Sequence, residues 1–424
     1  MKNLNPFNQY QFLLIVLLFS NSVLAQQSKV YEEDSLSYGV GIIENGKQEG
    51  LWKFYTNNGV LQKVGDFNAG VRSGNWRFYY LDGSVYAKID YENGVPVKYL
   101  QYFPSGNLSV KGGLVDGKKS GTWTFYYELG IRRKIVEYVD GKIEGLVQEF
   151  APTRELIVEA EYANDTTHGI WKEYNLFRNL IVEGFYKEGQ KDKVWRYYYD
   201  NGAIEEQLFY KSGKKDSIYR SYYNNGKPRI TGFYKNDLRD GNWRFFYESG
   251  VLMEEGTYKQ DLQNGQWFSY HENGRLKTVG TFIDGLEDGL WGIFHNTGQL
   301  MVEETWNQGL IWEISDYYMT SGDTLNSGTL SKGTGVKVDY YLNGEVEIKC
   351  EFKQGIPNGK WQYYLDDGTL VEEGQFTNGV KSGIWKFYHK NGNLESTGLF
   401  VDGEKSGAWQ YFYRSGKPSE SITH

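Results

Sequence analysis

Apolar and polar residues alternate along this chain in short runs, and each run ends in a cluster of Gly, Asn, Asp or Ser. In WQYYL (residues 361–365) the alternation predicts a strand. DDG (366–368) reads as a turn, TLVEEGQF (369–376) as a second strand, and TNGVKSG (377–383) as a turn into the next segment at Trp385. Alternation sends successive side chains to opposite faces of a sheet, and Asp-Gly, Asn-Gly and Ser-Gly are hairpin signals. Helix signals are absent after the first 25 residues.

The pattern repeats every 24 residues. With Trp52 as phase zero, repeats start at Trp52, Trp76, Tyr99, Trp123, Val147, Trp171, Trp195, Tyr219, Trp243, Trp267, Trp291, Ser315, Lys337, Trp361, Trp385 and Trp409. Eleven of the thirteen tryptophans fall on phase zero, and Trp306 belongs to a second aromatic column fifteen positions on. Three positions after every start stands an aromatic residue, and seven positions after it stands Gly in all repeats but two, where Arg154 and Arg178 replace it. The eighteenth position is Gly or Asp wherever the chain reaches it, which points to a turn with a left-handed backbone angle. A mid-strand glycine (Gly65, Gly112, Gly184, Gly232, Gly256, Gly280, Gly328, Gly374, Gly398) bends the second strand or lets an aromatic of the next repeat lie on bare backbone.

The expected fold is therefore all-β: an antiparallel meander of about sixteen stacked β-hairpins of 24 residues. Residues 26–50 form an N-terminal segment with a half-repeat. Residues 51–304 form a repeat array, degenerate at 147–180; 305–336 form a degenerate repeat or joint, and 337–424 the C-terminal repeats.

Composition sharpens this picture. The 52 glycines supply turns, and the 36 tyrosines, 23 phenylalanines and 13 tryptophans favour strands. The net charge of −8 disfavours nucleic acid as a partner. Cys350 is the single cysteine, so no intramolecular disulfide forms. Residues 1–25, with Lys2, the apolar run Phe12–Phe19 and a small-residue site ending at Ala25, read as a cleaved secretory signal. The expected location is thus the periplasm, cell surface or extracellular space, with no transmembrane segment after cleavage.

Candidate chemistry is sparse. His271 and His295 replace Tyr in adjacent repeats, four positions after the start, but a metal would need further ligands. GLVDGKK (113–119) has Lys119 where a phosphate loop needs Ser or Thr. The pairs Glu254/Glu255, Glu303/Glu304 and Glu372/Glu373 alternate along strands, so their members face opposite ways. The expectation is a non-enzyme with no catalytic residue, cofactor or metal. Both sheet faces carry aromatic rows, and the candidate interaction surface is the row Tyr80, Tyr127, Tyr199, Tyr223, Tyr247, His271 and His295.

The segments GNWRFYYLDG (74–83), GTWTFYYELG (121–130) and GIWKFYHKNG (383–392), with the F/Y-x-x-G steps that follow, resemble MORN repeats. In particular they resemble the MORN-variant units of the bacterial YwqK-family antitoxins, over roughly residues 39–416. That resemblance implies an elongated, curved sheet of hairpins and a binding role for a protein or cell-envelope partner. The alternatives are a glycan- or cell-wall-binding module, by analogy with choline-binding repeats, and an antitoxin or immunity protein that neutralises a toxin.

Overall fold

The computed structural model describes residues 27–31 and 37–424; the secretory signal expected at 1–25 lies outside the described residues. Every regular element described is a β-strand, and every strand pairing is antiparallel. The meander of hairpins expected from the alternation is what the chain forms. It divides into two bodies, the first ending at Gly202 and the second starting at Ala203.

In the first body each strand from Gln27–Tyr31 to Gln190–Tyr198 pairs with the next in sequence. The stretch 147–180 stays within this ladder, through Lys142–Phe150, Leu156–Ala163, Thr166–Tyr174 and Leu180–Lys187. In the second body a meander runs from Ile204–Lys211 to Leu310–Ile314. A short ribbon of Tyr317–Tyr318 with Thr324–Leu325 follows, and an eight-stranded sheet runs from Gly335–Tyr340 to Pro418–Thr423. Regular pairing is thus interrupted between Ile314 and Gly335.

Two kinds of turn line the sheet edges. At the Gly-or-Asp column φ lies between 65° and 86°, and the residue before it has φ between 49° and 54°. Two successive left-handed residues are the signature of a type I′ turn, whose twist matches that of paired strands. Most such turns also donate the N–H of their second residue to the preceding repeat, as Gly94 does to Arg72 at 3.0 Å and Gly141 to Lys119 at 2.8 Å. Where Asp replaces Gly the carboxylate adds a bond: Asp165, Asp237 and Asp261 accept the backbone N–H of Ile143, Lys215 and Arg239 at 2.7–2.8 Å. The opposite edge holds hairpin loops closed by the left-handed Gly seven positions after the start, for example Gly83 donating to Tyr80 at 3.0 Å.

The core is a seat for each tryptophan. Pairing steps from Lys111↔Thr124 to Gly113↔Ser120, so three residues ending at Trp123 face the single Gly112 in a bulge. The indole then lies flat on glycine, and a Cβ built on Gly112 would sit within 2.5 Å of three ring atoms of Trp123. Gly41, Gly65, Gly184, Gly232, Gly256, Gly280, Gly374 and Gly398 seat Trp52, Trp76, Trp195, Trp243, Trp267, Trp291, Trp385 and Trp409 in the same way. Of the two roles expected for the mid-strand glycine, bare backbone beneath an aromatic is therefore the one used. Gly328 departs from the column: its φ is 106° and its Cβ position is closed by the carbonyl of Val336.

Between successive tryptophans stands the aromatic of the fifteenth position, edge-on to both. Phe67 lies 6.1 Å from Trp52 and 5.0 Å from Trp76; Tyr258 lies 5.9 Å from Trp243 and 5.1 Å from Trp267. Phe400 does the same between Trp385 and Trp409. Edge-to-face contacts at these spacings are the favoured geometry of aromatic pairs. No repeat completes its core alone, since each ring is closed by the next repeat.

Candidate functional site

The seated indoles are anchored by their N–H groups. Eight of them donate to the backbone carbonyl ten residues earlier at 3.0–3.2 Å, as Trp123 does to Gly113. Trp291 differs, its N–H being buried without a partner. In two repeats the seat on the preceding strand carries a side chain: Trp171 opposes Ala160, and Trp361 opposes Cys350. Both are only half-buried, and the Trp171 N–H turns instead to the Glu173 carboxylate at 2.8 Å.

The outward side of this aromatic row is covered by cations. Four positions before phase zero stand Arg72, Lys119, Lys191, Lys215, Arg239, Lys381 and Lys405. Lys191 lies 4.0 Å from the centre of the Trp195 ring, Lys381 4.0 Å from Trp385 and Lys405 4.1 Å from Trp409. Burial lowers the pKa of Lys119, which lies over Trp123 at 4.7 Å. Ammonium and guanidinium groups over ring faces contribute cation–π attraction, and they occupy the surface a stacked ligand would use. This column is plain in the sequence, but its meaning needs the neighbouring strand.

The opposite face carries a polar network built on the invariant aromatic. Glu183 accepts Arg196 at 2.7 Å and the Tyr198 hydroxyl at 2.8 Å; Glu373 accepts Tyr388 at 2.8 Å and Lys386 at 3.5 Å. Burial pushes the Glu183 carboxyl up, but hydrogen bonds from Tyr198 and Arg196 outweigh it and hold it below its usual value. The bond from Tyr388, against burial and with help from Lys386, holds Glu373 below its usual value. Burial and then the bonds to these carboxylates push Tyr198 and Tyr388 up to about 12.

The candidate row from Tyr80 to His295 lies at the mouth of the hairpin loops, half-buried except for His295, which is 3% exposed. Its polar tips reach the next repeat. Tyr80, Tyr127, Tyr223 and Tyr247 donate their hydroxyls to the carbonyls of Tyr102, Phe150, Phe246 and Tyr270 at 2.6–3.0 Å. His271 Nε2 and His295 Nε2 meet the carbonyls of Phe294 and Tyr318 at 2.9 and 2.7 Å, which requires them to carry the proton. Tyr199 stands half-buried in the same column. The row thus forms a rail between repeats, in which at least six of the seven polar tips are engaged inside the array. Tyr and His are interchangeable there because both place an N–H or O–H at the same reach.

At the interruption after Ile314 the Trp–Gly seat is replaced by an ion pair. Glu304 stands in the mid-strand glycine column and Lys337 in the tryptophan column. Lys337 Nζ lies 2.9 Å from Glu304 and 3.0 Å from Asp339, while Glu304 also accepts the Trp306 N–H at 3.1 Å. Burial works against the charged amine, but the two carboxylates prevail and hold the Lys337 pKa above its usual value. The pair clasps the two sheets of the second body. Cys350, opposite Lys337, is 2% exposed and its thiol is pushed up to about 12 by burial, which keeps it from acting as a thiolate nucleophile. The His/Cys/Asp/Glu groups among the described residues include no cluster suited to a metal ion. A surface hollow of about 480 Å³ is an open groove along Asp216, Ser217, Phe233 and Tyr234.

Comparisons with known proteins follow the repeat. No curated protein matches the sequence. Solved structures with similar chains include the crystal structure of TcdB2-TccC3-Cdc42, at 10% identity over 94% of this chain and 29% of that chain, with a TM-score of 0.13. They also include the crystal structure of TcdB2-TccC3 without its hypervariable C-terminal region, at 12% identity over 94% and 28%, with a TM-score of 0.14. The Tc holotoxin pore of Photorhabdus luminescens matches at 10% identity over 94% and 25%, with a TM-score of 0.14. The chain spans less than a third of the length of each. The family model described as MORN repeat variant matches residues 48–69, 72–93, 191–212, 215–236, 239–260, 263–284, 357–378 and 381–402. Each matched segment carries a type I′ turn at its end, so the recurring hairpins of this chain include MORN repeat variant units in eight places.

Proposed function

We propose that this chain is an exported, non-catalytic repeat scaffold that binds protein or cell-envelope partners. One observation carries the reading: the recurring columns are spent on contacts between repeats. Indole seats, the Tyr/His rail and the type I′ turns all join one hairpin to the next. The residues that vary from repeat to repeat are then those at loop tips and on the outer faces, which is how a repeat array presents a partner surface. MORN repeats support the same role.

The test is affinity capture from envelope extracts with the chain from residue 26 onward, followed by cross-linking to locate the contact. Stoichiometric capture of a defined partner supports the scaffold; capture no better than a charge-matched control protein sinks it. A glycan-binding module using the aromatic rows would instead bind purified envelope polysaccharide and lose it on Tyr→Ala changes along one row. An antitoxin role of the YwqK kind would show as rescue of cells from a co-expressed toxin. The leader itself is checked by the N-terminal residue of the secreted chain, expected at Gln26.

A further inference from the structure

Hairpin-loop tips differ between the two bodies. In the second body they are polar, as in Asn224–Asn225, Glu248–Ser249, Glu272–Asn273 and Asn296–Thr297, with Leu342 the one apolar tip residue. In the first body five consecutive tips carry exposed apolar residues: Leu81, Pro104, Leu129, Pro152, and the pair Leu176–Phe177. Leu129 and Phe177 are 85% and 84% exposed. Rings and aliphatic chains so placed serve no contact within the array.

Arginines accompany the last three of these tips. Arg154 and Arg178 adopt φ of 84° and 68° at the loop position that is Gly in every other repeat. An L side chain is strained there, and strain kept in two consecutive loops points to a use for the side chain. Arg132 and Arg133 follow Leu129, and all four guanidinium groups belong to exposed residues. Among the described residues none of the four makes an ion pair. Nearby carboxylates are partly committed: Glu149 pairs with Lys134 at 2.8 Å, and Asp200 accepts the Asn175 amide at 2.9 Å. Glu155 lies near enough to Arg178 to feel its charge. With Lys134 and the four arginines set against Glu128, Glu149, Glu155 and Asp200, this edge keeps a small positive excess on a chain whose net charge is −8.

The loop is also held ready. Asn175 Oδ1 accepts the backbone N–H groups of Phe177 and Asn179 at 3.0 Å, and the Asn179 amide bonds the carbonyl of Asp200 at 2.9 Å. The backbone that presents Phe177 is therefore held before binding, which lowers the ordering cost.

We propose that the loop edge formed by the repeats starting at Trp123, Val147 and Trp171 docks an extended, acidic protein segment. This rests on the scaffold reading above. Arg154 and Arg178 receive carboxylates in bidentate fashion, and Phe177 and Leu129 receive apolar side chains between them. Neighbouring tips stand two strand spacings apart, about 10 Å, which one three-residue turn of polyproline II chain nearly spans while keeping every third side chain on one face. The segment therefore carries Asp or Glu at every third position.

The probe is a fluorescein-labelled peptide of repeated Glu-Leu-Trp triplets, measured by anisotropy with the full chain against a Gln-Leu-Trp peptide. The Glu peptide is expected to bind about tenfold or more tightly. The double variant Arg154→Gly/Arg178→Gly restores the residue found in the other loops, so it is expected to melt no lower than wild type while losing that preference. Phe177→Asn, an Asn tip as at Asn225, is expected to weaken both peptides. Equal binding of the two peptides, or an unchanged preference in the double variant, overturns the proposal. Tighter binding to phosphatidylglycerol vesicles than to the Glu peptide, lost in the double variant, also overturns it in favour of a lipid surface. Envelope capture separates this from the scaffold reading: a partner still captured by a variant combining Arg154→Gly, Phe177→Asn and Arg178→Gly overturns only this edge, whereas none captured by wild type overturns the scaffold.

Discussion

Adding one methyl group at Gly112 tests the seat on which the repeat depends. In Gly112→Ala the new Cβ falls within 2.5 Å of three Trp123 ring atoms, so the indole must move outward by more than an ångström. The chain shows where it goes. Opposite Ala160, Trp171 is half-buried and its N–H has left the backbone for Glu173, whereas Trp123 is 3% exposed and bonds the Gly113 carbonyl at 3.0 Å. Loss of that hydrogen bond costs about 1 kcal/mol. Exposure of a quarter to a third of an indole, about 60 Å² of apolar surface, costs about 1.5 kcal/mol. Replacing Gly by Ala in the unfolded chain returns about 0.5–1 kcal/mol. The net expectation is destabilisation by about 2 kcal/mol. Because stability in a repeat array is local, the assay is hydrogen exchange in the strands Leu108–Val115 and Lys118–Tyr126, with urea unfolding monitored by tryptophan fluorescence. A change below about 0.5 kcal/mol refutes the seat as the source of the glycine column.

Tyr127→Phe deletes the hydroxyl that bonds the Phe150 carbonyl at 3.0 Å and should cost about 1 kcal/mol in urea unfolding, whereas His271→Tyr keeps a donor at that reach and should stay within about 0.5 kcal/mol. Native Cys350, buried and with its thiol pushed up to about 12, should resist iodoacetamide until urea unfolds the chain; rapid native labelling would contradict its placement. Tyr388 has a folded pKa raised from 10.0 to about 12, so its contribution to stability is complete below pH 10 and is lost as pH rises through about 12. Glu373 is depressed, so its contribution is present above its unfolded value of 4.5 and fades as pH falls through the folded one. Phenolate absorbance should therefore show Tyr388 titrating late in wild type and nearer 10.0 in Glu373→Gln; an unmoved titration refutes the pairing.

Much of the fold was legible because hairpin geometry constrains residue type strongly. A left-handed turn admits few residues without strain, so the Gly-or-Asp column announced a left-handed turn position, which the structure shows as the second residue of a type I′ turn. The glycine beneath each tryptophan was legible as one of two choices. The candidate row was harder: Tyr80 and His295 look like surface aromatics along one strand, and only the position of the next repeat shows that their tips bond its carbonyls. The cations four positions before phase zero had the same difficulty, since a solvated lysine and one lying over an indole have the same sequence.

By itself, then, the sequence determined period, strand alternation, turn positions and the all-β meander, because these follow from backbone angles and side-chain alternation within some two dozen residues. The tertiary structure decided which aromatic row is buried, what covers it, and which breaks in the pattern matter. The change from Trp–Gly to Lys337–Glu304 looks like decay in the sequence and is an ion pair between sheets in the fold. Arg154 and Arg178 look like lost glycines and are strained, exposed cations beside Phe177. The reason is physical: burial and pairing are properties of what stands across the strand, and the sequence of one strand does not contain its neighbour.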